Sequence, residues 1–521
     1  MRNHRALLGL LASLVLASGL TASSAPAITA ETYLVGAATR LIHPDAPGSP
    51  LAPGTAVQKG GSGLGDGSSV VSQLIGPGGA ARYQGEPLSA RAVVVSRDGA
   101  SVAMVTVETQ GMFIAYQRGL PGIADIAAEV EEATDGDLPA ANIVISNNHT
   151  HSGPDMIGAW GFVPDDYARF IAAQTRDAIV AAFEAREPAT ITAGADAAPD
   201  IIYNQNCTEA LNQSGNTGAP NNICNPRLNY KDSLVRVLQA RSVNEPERVI
   251  TTVLSFSAHA TLGGGSGLHG DWPQFMSEKL SETYGGTGIA FEGSVGATQP
   301  CRPFCGYTDK AKYGPDLPAD RKGAYTYMLG WHAARALASA VPVEGELAAS
   351  RAFIRHTAEN AALFALVTNG AAVGAPIARS VDAPWVIGNT VLTTVSALRI
   401  GNLLVNGAPG EAYSNISAGV ESALGIDAKL HWTLGLADDQ LGYLIAPVEA
   451  YPAVLAEVAV NDNSIFNISP TIGDHVMCAQ TRISRELGFG PSDPVSVATT
   501  ADPRCTAWDA ADLAADAAEG R

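Results

Sequence analysis

The stretch "ANIVISNNHTHSGPD", Ala141–Asp155, runs an apolar segment into two histidines and then into a Gly-Pro turn. The apolar part is typical of a buried β-strand, and the glycine and proline mark its end. Side chains at positions i and i+2 of an extended segment point to the same side. The stretch therefore predicts a strand that delivers His149 and His151 into one pocket.

The segments around this stretch predict a mixed α/β fold. "ARAVVVSRDGASVAMVTVETQ", residues 90–110, is typical of a β-hairpin with an Asp-Gly turn, and residues 119–136 have helical periodicity. Together with the strand at 141–146 they give the order β-β-α-β. Further predicted helices and strands follow, at 165–187, 233–242, 248–261, 272–284, 323–340 and 391–411. We expect an α/β protein in which mixed β-sheets with flanking helices form one large domain over residues 32–485, without internal repeats.

Charge and composition exclude several classes of partner. The chain has 521 residues and a formal net charge of −19. Nucleic-acid binding and docking on anionic lipid both need a surplus of Lys and Arg, so neither is expected. The oligomeric state is left open.

The N-terminal segment 1–27 resembles a secretory signal peptide. A basic head, Met1–Arg5, precedes the apolar run Ala6–Leu20 and the small, polar segment "TASSAPA". This apolar run is shorter than the roughly 20 residues that cross a bilayer. We expect cleavage after Ala27, no membrane span, and a secreted, extracellular mature protein.

The six cysteines agree with export into an oxidising compartment. Their clustering favours three local disulfides, Cys207–Cys224, Cys301–Cys305 and Cys478–Cys505. The end of the chain, from about position 502 onward, is rich in Ala and Asp. We therefore expect the extension at 486–521 to be partly mobile.

Polar side chains that follow apolar strands point to a metal site. His149, His151 and His259 each come directly after such a strand, and "LLVNGAPGE" leads another strand to Glu411. Taken singly, each histidine is more typical of a hydrogen-bonded core residue, and His332 and His356 are most simply surface or hydrogen-bonded core residues. Two or three imidazoles with a carboxylate, however, are the ligand set of hydrolytic zinc sites that leave one position open for water. The sequence therefore predicts a zinc site at strand ends.

Two further residues have alternative interpretations. Asp271, in "HGDWP", can orient His259 or His269 as an outer carboxylate, or it can cap the helix that follows. Tyr443, in "ADDQLGYLIAP", is by itself typical of a core aromatic residue. "GSGLHG", residues 265–270, matches a dinucleotide-binding pattern, but Asp271 would repel a pyrophosphate there, and no nucleotide cofactor is expected.

Four segments resemble the neutral/alkaline ceramidase family. They are "NNHTHSGPD", "SFSAHATLGGGSGLHGDWPQF", "VNGAPGE" and "GLADDQLGYLIAP", and they occur in the order found in that family. The resemblance covers roughly residues 32–485 and implies a ceramidase-like catalytic domain of a divergent bacterial branch. It also implies one Zn²⁺ held by His149, His259, Glu411 and Tyr443, with His151 facing the substrate. The sequence offers no support for an additional Ca²⁺, whose binding stays open.

The chain departs from the family pattern at two substrate-side positions. Gln299, in "GSVGATQPC", stands where the family has its nucleophilic serine, and Gln205, in "NQNC", stands where it has an arginine. Too few residues follow residue 485 for the family's separate immunoglobulin-like domain. A metal-activated water needs no serine, so these departures affect a covalent mechanism and leave a zinc–water mechanism intact.

These observations predict a secreted, zinc-dependent amidohydrolase that cleaves an N-acyl, ceramide-like amide. The expected catalytic residues are His151, Tyr443, Asp271 and Gln299, and the substrate is a small-molecule or lipid amide. One alternative is a zinc hydrolase of a different amide or an ester, which Gln299 and Gln205 favour. The other is a non-catalytic extracellular binding protein that keeps the metal site.

Overall fold

The computed structural model describes most of the chain beyond the predicted signal peptide. The described residues are 32–52, 54–61, 70–71, 73–75, 81–83, 85–205, 230–263, 267–300, 309–368, 379–380, 382–447, 465–491 and 503–521. All of them lie within one compact unit, Glu31–Arg521.

The first sheet contains the predicted hairpin and the strand that precedes His149. Its main strands are β1 (Tyr33–Leu41), β2 (Ser89–Arg97), β3 (Ala100–Val107), β4 (Ile143–Asn147), β5 (Glu187–Ala197), β6 (Leu234–Ser242), β7 (Val249–Phe256) and β8 (Thr287–Glu292). They are arranged in the order β8-β7-β6-β5-β1-β2-β3-β4. The pairs β3–β4 and β7–β8, at the two ends of this order, are parallel, whereas the pairs between them are antiparallel.

The second sheet supplies the other half of the site. Its main strands are β9 (Leu347–Thr357), β10 (Thr390–Ile400), β11 (Leu403–Gly407) and β12 (His431–Leu434), in that spatial order. The pair β11–β12 is parallel. Shorter strands complete the description: Val57–Gln58, Val70–Val71, Gln73–Ile75, Ala81–Tyr83, Ile202–Asn204, Thr298–Pro300, Val341–Pro342, Val386–Ile387, Glu411–Ala412 and Tyr443–Leu444.

Helices flank both sheets. The longer ones are α1 (Ile123–Ala133), α2 (Asp165–Glu184), α3 (Asp271–Tyr284), α4 (Arg321–Ala338), α5 (Ser414–Leu424), α6 (Ile472–Glu486) and α7 (Pro503–Glu519). The shorter ones are Lys310–Tyr313 and Ala361–Thr368, with 3-10 turns at Gln117–Gly119, Ala140–Asn142 and Ala428–Leu430. Among the described residues, no helix combines the length and the apolar character that a membrane crossing needs.

The two sheets pack face to face between two helical layers. In β2, Ala92 and Val94 contact the core under α1 and α2, whereas Val93 and Val95 contact the second sheet. This alternation means that both faces of the first sheet are buried, which explains its nearly continuous apolar strands. Helices α3 and α4 cover the same face as α1 and α2, and α5 and α6 cover the outer face of the second sheet. The predicted class, mixed β-sheets with flanking helices, is confirmed.

The C-terminal extension contains a helix in its described part. Residues 503–519 form α7, and the predicted disulfide Cys478–Cys505 joins this helix to α6. Arg355 of β9 pairs with Asp516 and Glu519 at 2.9 and 3.1 Å. These long-range contacts offset the weak apolar character of the helix. The other two predicted disulfides lie outside the described residues.

Gly36 sets how closely α2 approaches the first sheet. A Cβ atom at this position of β1 would lie 2.1 Å from the carbonyl oxygen of Ala182. We predict that Gly36→Ala lowers the free energy of unfolding by about 1–3 kcal/mol, because the helix must move.

Gly330 of α4 is the matched control, since the nearest side chain, that of Met276, would be 4.0 Å away from an added Cβ atom. Gly330→Ala should raise stability by about 0.5–1 kcal/mol. Urea unfolding measures both, and equal effects of the two variants would contradict the packing described.

Candidate metal centre

His149 is held in place by an unusual backbone conformation and by a main-chain acceptor. It follows the buried strand β4 with a φ of +47°, a conformation that non-glycine residues rarely adopt. Its Nδ1 lies 2.7 Å from the carbonyl oxygen of Gln110, and its side chain is buried. A carbonyl oxygen can only accept, so Nδ1 carries the hydrogen and Nε2 points its lone pair the other way.

His259 is oriented in the same manner from the end of β7. Both its backbone N–H and its Nδ1 reach the carbonyl oxygen of Thr298, at 3.1 and 3.0 Å. The hydroxyl of Thr298 in turn donates to the carbonyl of Ser257 at 2.6 Å, which anchors this loop to the strand end. His259 therefore also presents the lone pair of Nε2 to the space between the strand ends.

Glu411 faces both imidazoles from the second sheet. The turn after β11 leads directly to this residue, whose side chain is buried. Its Oε2 lies 3.0 Å from Nε2 of His259 and 3.4 Å from Nε2 of His149. Burial alone would raise the pKa of Glu411, but a positive charge beside it, such as a protonated imidazole of His149 or His259, outweighs burial and lowers it.

His151 completes a group of three imidazoles. One ring nitrogen from each of His149, His151 and His259 lies within 4.8 Å of the others. The ring centroid of His151 is 5.0 Å from that of His149 and 5.9 Å from that of His259. Unlike the other two, His151 is only partly buried. The structure thus brings together the two histidines of the "HTH" motif.

The donor set fits a divalent cation. With the hydrogen of each ring on Nδ1 in His149 and His259, the neutral form of each ring would turn an acceptor nitrogen towards a carboxylate oxygen of Glu411. Two acceptors at about 3 Å repel each other unless a proton or a cation lies between them. Imidazole nitrogens with a carboxylate are typical ligands of zinc, with room for water where a fourth position stays open.

Tyr443 lies beside this group. Glu411 and Tyr443 are direct partners in a short parallel pairing, so the two side chains leave neighbouring strands at the same level. The ring centroid of Tyr443 is 6.3 Å from that of His259. The backbone N–H of Tyr443 donates to the carbonyl of Phe466 at 2.9 Å.

Asp271 supports the loop after His259 rather than the ring of His259. Its carboxylate accepts the backbone N–H groups of Leu262 and Gly263 at 3.0 and 2.6 Å, and that of Trp272 at 2.7 Å. It also lies 3.9 Å from Nδ1 of His269. Because the two ring nitrogens of His259 face Thr298 and Glu411, the outer partner of His259 is the Thr298 carbonyl. Asp271 is the first residue of α3, and Gly270 occupies the N-cap position.

The two glutamines that depart from the family pattern are bonded to each other. Nε2 of Gln299 donates to Oε1 of Gln205 at 3.0 Å, and Oε1 of Gln299 accepts from the hydroxyl of Thr261 at 2.6 Å. Thr261 is two residues beyond His259, and the carbonyl of its neighbour Ala260 accepts the N–H of His151. The amide pair therefore borders the imidazole group.

Several groups of this centre were not predicted from the sequence. The carbonyl oxygens of Gln110 and Thr298 have no side-chain signature. Glu292, the last residue of β8, is fully buried, and burial followed by the charge of Asp271 raises its pKa well above the ordinary value. An acidic residue at the end of the apolar run "GIAFE" was the signal that could have identified it.

Comparison with known proteins identifies the fold. No protein-family model and no curated protein matches the sequence. The structure is similar to the crystal structure of neutral ceramidase from Pseudomonas aeruginosa, with a TM-score of 0.62 and 16% sequence identity over 88% of this chain and 75% of that chain. A ceramidase complexed with C2 gives a TM-score of 0.60 at the same identity and coverage. The chain has a ceramidase-like fold.

Two buried carboxyl groups near the imidazoles allow a matched test of zinc binding. Glu411→Gln removes the charge that faces two Nε2 atoms, and we predict that zinc affinity falls at least about 100-fold. Glu292→Gln removes no such charge, because burial already favours the protonated acid, so its affinity should stay within about threefold of wild type. Equilibrium dialysis with elemental analysis measures both. A protein that binds zinc equally well in both variants would contradict the assignment of Glu411.

Proposed function

We propose that this protein is an exported, zinc-dependent hydrolase that cleaves an N-acyl amide, with ceramide-like lipid amides as the leading substrate class. The observation that carries the proposal is the group formed by three imidazoles and Glu411, in which two lone pairs and a carboxylate oxygen converge. The ceramidase-like fold supports the same chemistry. The disulfide between α6 and α7 agrees with an oxidising, extracellular location.

His149, His259 and Glu411 would hold the metal, with Tyr443 as a further ligand beside them. A bound zinc ion supplies a Lewis acid for the acyl carbonyl and makes water a competent nucleophile near neutral pH. The carbonyls of Gln110 and Thr298 fix the two liganding rings, so neither ring needs to reorient when substrate binds.

His151 is the residue that exchanges protons with the substrate in this proposal. It adjoins the liganding rings but remains partly accessible, so it can reach a bound substrate. An imidazole titrates near neutral pH, and it can accept a proton from water and return it to the leaving amine. Asp271 acts indirectly, since its carboxylate holds the backbone that leads away from His259.

Gln299 and Gln205 decide between two routes of acyl transfer, one through a covalent acyl-enzyme and one by direct attack of water. A carboxamide is not a nucleophile, so no acyl-enzyme forms at Gln299 and the attacking group is water. The amide N–H groups of the pair can instead donate to a carbonyl or hydroxyl oxygen of the substrate. The same pair supports the second candidate, a zinc hydrolase of a different acyl amide or of an ester, because the groups that border the site differ from those of the family.

Measurements of activity and zinc content distinguish a metal ligand, His149, from a proton-transfer residue, His151. The zinc-loaded protein should release fatty acid from N-acyl substrates. His151→Ala should lower kcat by about 100- to 10,000-fold while zinc stays bound, because it removes only proton transfer. His149→Ala should lose both zinc and activity.

Fatty-acid release on a panel of amides and esters, with zinc content measured on the same samples, checks these results and ranks the two substrate classes. Absence of turnover on the whole panel by zinc-loaded protein would exclude the hydrolase proposal and leave a binding protein.

A further inference from the structure

A second group of buried histidines lies far along the chain from the candidate metal centre, where α7 contacts the second sheet. Nδ1 of His356, in β9, lies 2.9 Å from Nδ1 of His475, in α6. Nε2 of His475 lies 2.9 Å from the carboxylate of Asp512, in α7. All three side chains are buried. We call these three residues the histidine clasp.

The hydrogen bonds around the clasp determine how many protons it holds. The carboxylate of Asp512 can only accept, so Nε2 of His475 carries a hydrogen. Nε2 of His356 lies 3.0 Å from the hydroxyl of Ser469, which donates to Glu359 at 2.6 Å, and 3.3 Å from the hydroxyl of Thr471, so this nitrogen can carry a hydrogen or accept one. The short contact between the two Nδ1 atoms needs one hydrogen between them. The two rings can therefore share at most three hydrogens, and so at most one positive charge, while they stay in contact.

The clasp fastens α7 to the open edge of the second sheet. Among the described strands, β9 lies at the edge of the second sheet, and the other oxygen of Asp512 accepts the backbone N–H of Arg355, in β9, at 3.0 Å. The ring of Trp508, also in α7, stacks on His475 with centroids 4.6 Å apart. The helix thus satisfies a hydrogen-bonding group that an exposed strand edge would present to other chains.

We propose that the histidine clasp is an acid-sensitive fastening, which releases α7 from the edge of the second sheet when the two rings must take up a second proton. A second hydrogen has no room between nitrogens that are 2.9 Å apart, so protonation and the docked arrangement exclude each other. The disulfide Cys478–Cys505 keeps the released helix tethered to α6. Release is therefore local and reversible.

The direction of the effect follows from His356. Burial, and then the charge of His475, lower the pKa of His356 from 6.5 to about 3. A ring released to solvent regains the ordinary value and binds a proton that the docked ring does not. The free energy that favours docked over released α7 is therefore largest above pH 6.5, and it decreases as the pH falls from 6.5 towards 3.

Other charged groups face the pair from the neighbouring elements. They are Asp509 and Asp512 from α7, Asp474 of α6 with its partner Arg504, and Glu359 from the loop after β9. The test must therefore separate the rings from these carboxylates, which a histidine substitution does.

Hydrogen–deuterium exchange of the full-length, disulfide-bonded protein tests the proposal. The probe is the peptide that covers residues 503–519, followed from about pH 7.5 to about pH 5 and corrected for the intrinsic pH dependence of exchange. We expect the opening constant of α7 to rise about tenfold per pH unit below about pH 6.5, since release takes up one proton. In His356→Gln the pH dependence should disappear, because the amide does not titrate.

Two controls keep the test decisive. His332→Gln alters another buried histidine, which contacts Asp196 at 2.7 Å in a different part of the fold, and it should leave the α7 slope unchanged. Within wild-type protein, the peptide covering α2 should show no such slope, which makes the test independent of any variant that fails to fold. Opening of α7 that is constant over the whole pH range, or an unchanged slope in His356→Gln, would overturn the proposal.

Discussion

The candidate metal centre depends on one unfavourable contact, in which the carboxylate of Glu411 faces the Nε2 atoms of His149 and His259. Each ring is committed to a main-chain carbonyl through its other nitrogen, so neither can turn a hydrogen towards Glu411 without taking a positive charge in a buried site. A divalent cation resolves this conflict for all three groups at once. The partly buried His151 adjoins these groups, with its ring centroid 5.0 Å from that of His149.

The layered fold makes this contact possible. His149 and His259 follow strands of the first sheet, and Glu411 follows a strand of the second sheet. Because the two sheets pack face to face, their strand ends meet although the residues are remote from one another in the sequence. The histidine clasp uses the same principle at another boundary, where a strand edge, α6 and α7 meet. In both places the buried imidazoles connect secondary-structure elements that are distant from one another in the sequence.

Much of the fold could be predicted from local pattern, and the failures have physical causes. The hairpin at Asp98 and Gly99 and helices α1–α4 follow from turn chemistry and periodicity. Strand β5 was missed because it is made of small residues, "EPATITAGADA", and its Gly194 lies against the backbone of α4. The strand-end histidines and Glu411 could be identified, since their spacing is local. The carbonyls that orient them, the burial of Glu292 and the docking of α7 depend on tertiary contacts that no local pattern contains.

The position of the metal itself is the most direct test of the central claim. Crystals of zinc-loaded protein, measured on both sides of the zinc absorption edge, give an anomalous difference map that locates the ion. We predict a peak about 2.0–2.2 Å from Nε2 of His149, from Nε2 of His259 and from a carboxylate oxygen of Glu411. A protein that carries stoichiometric zinc but shows no peak between these three side chains would contradict that claim.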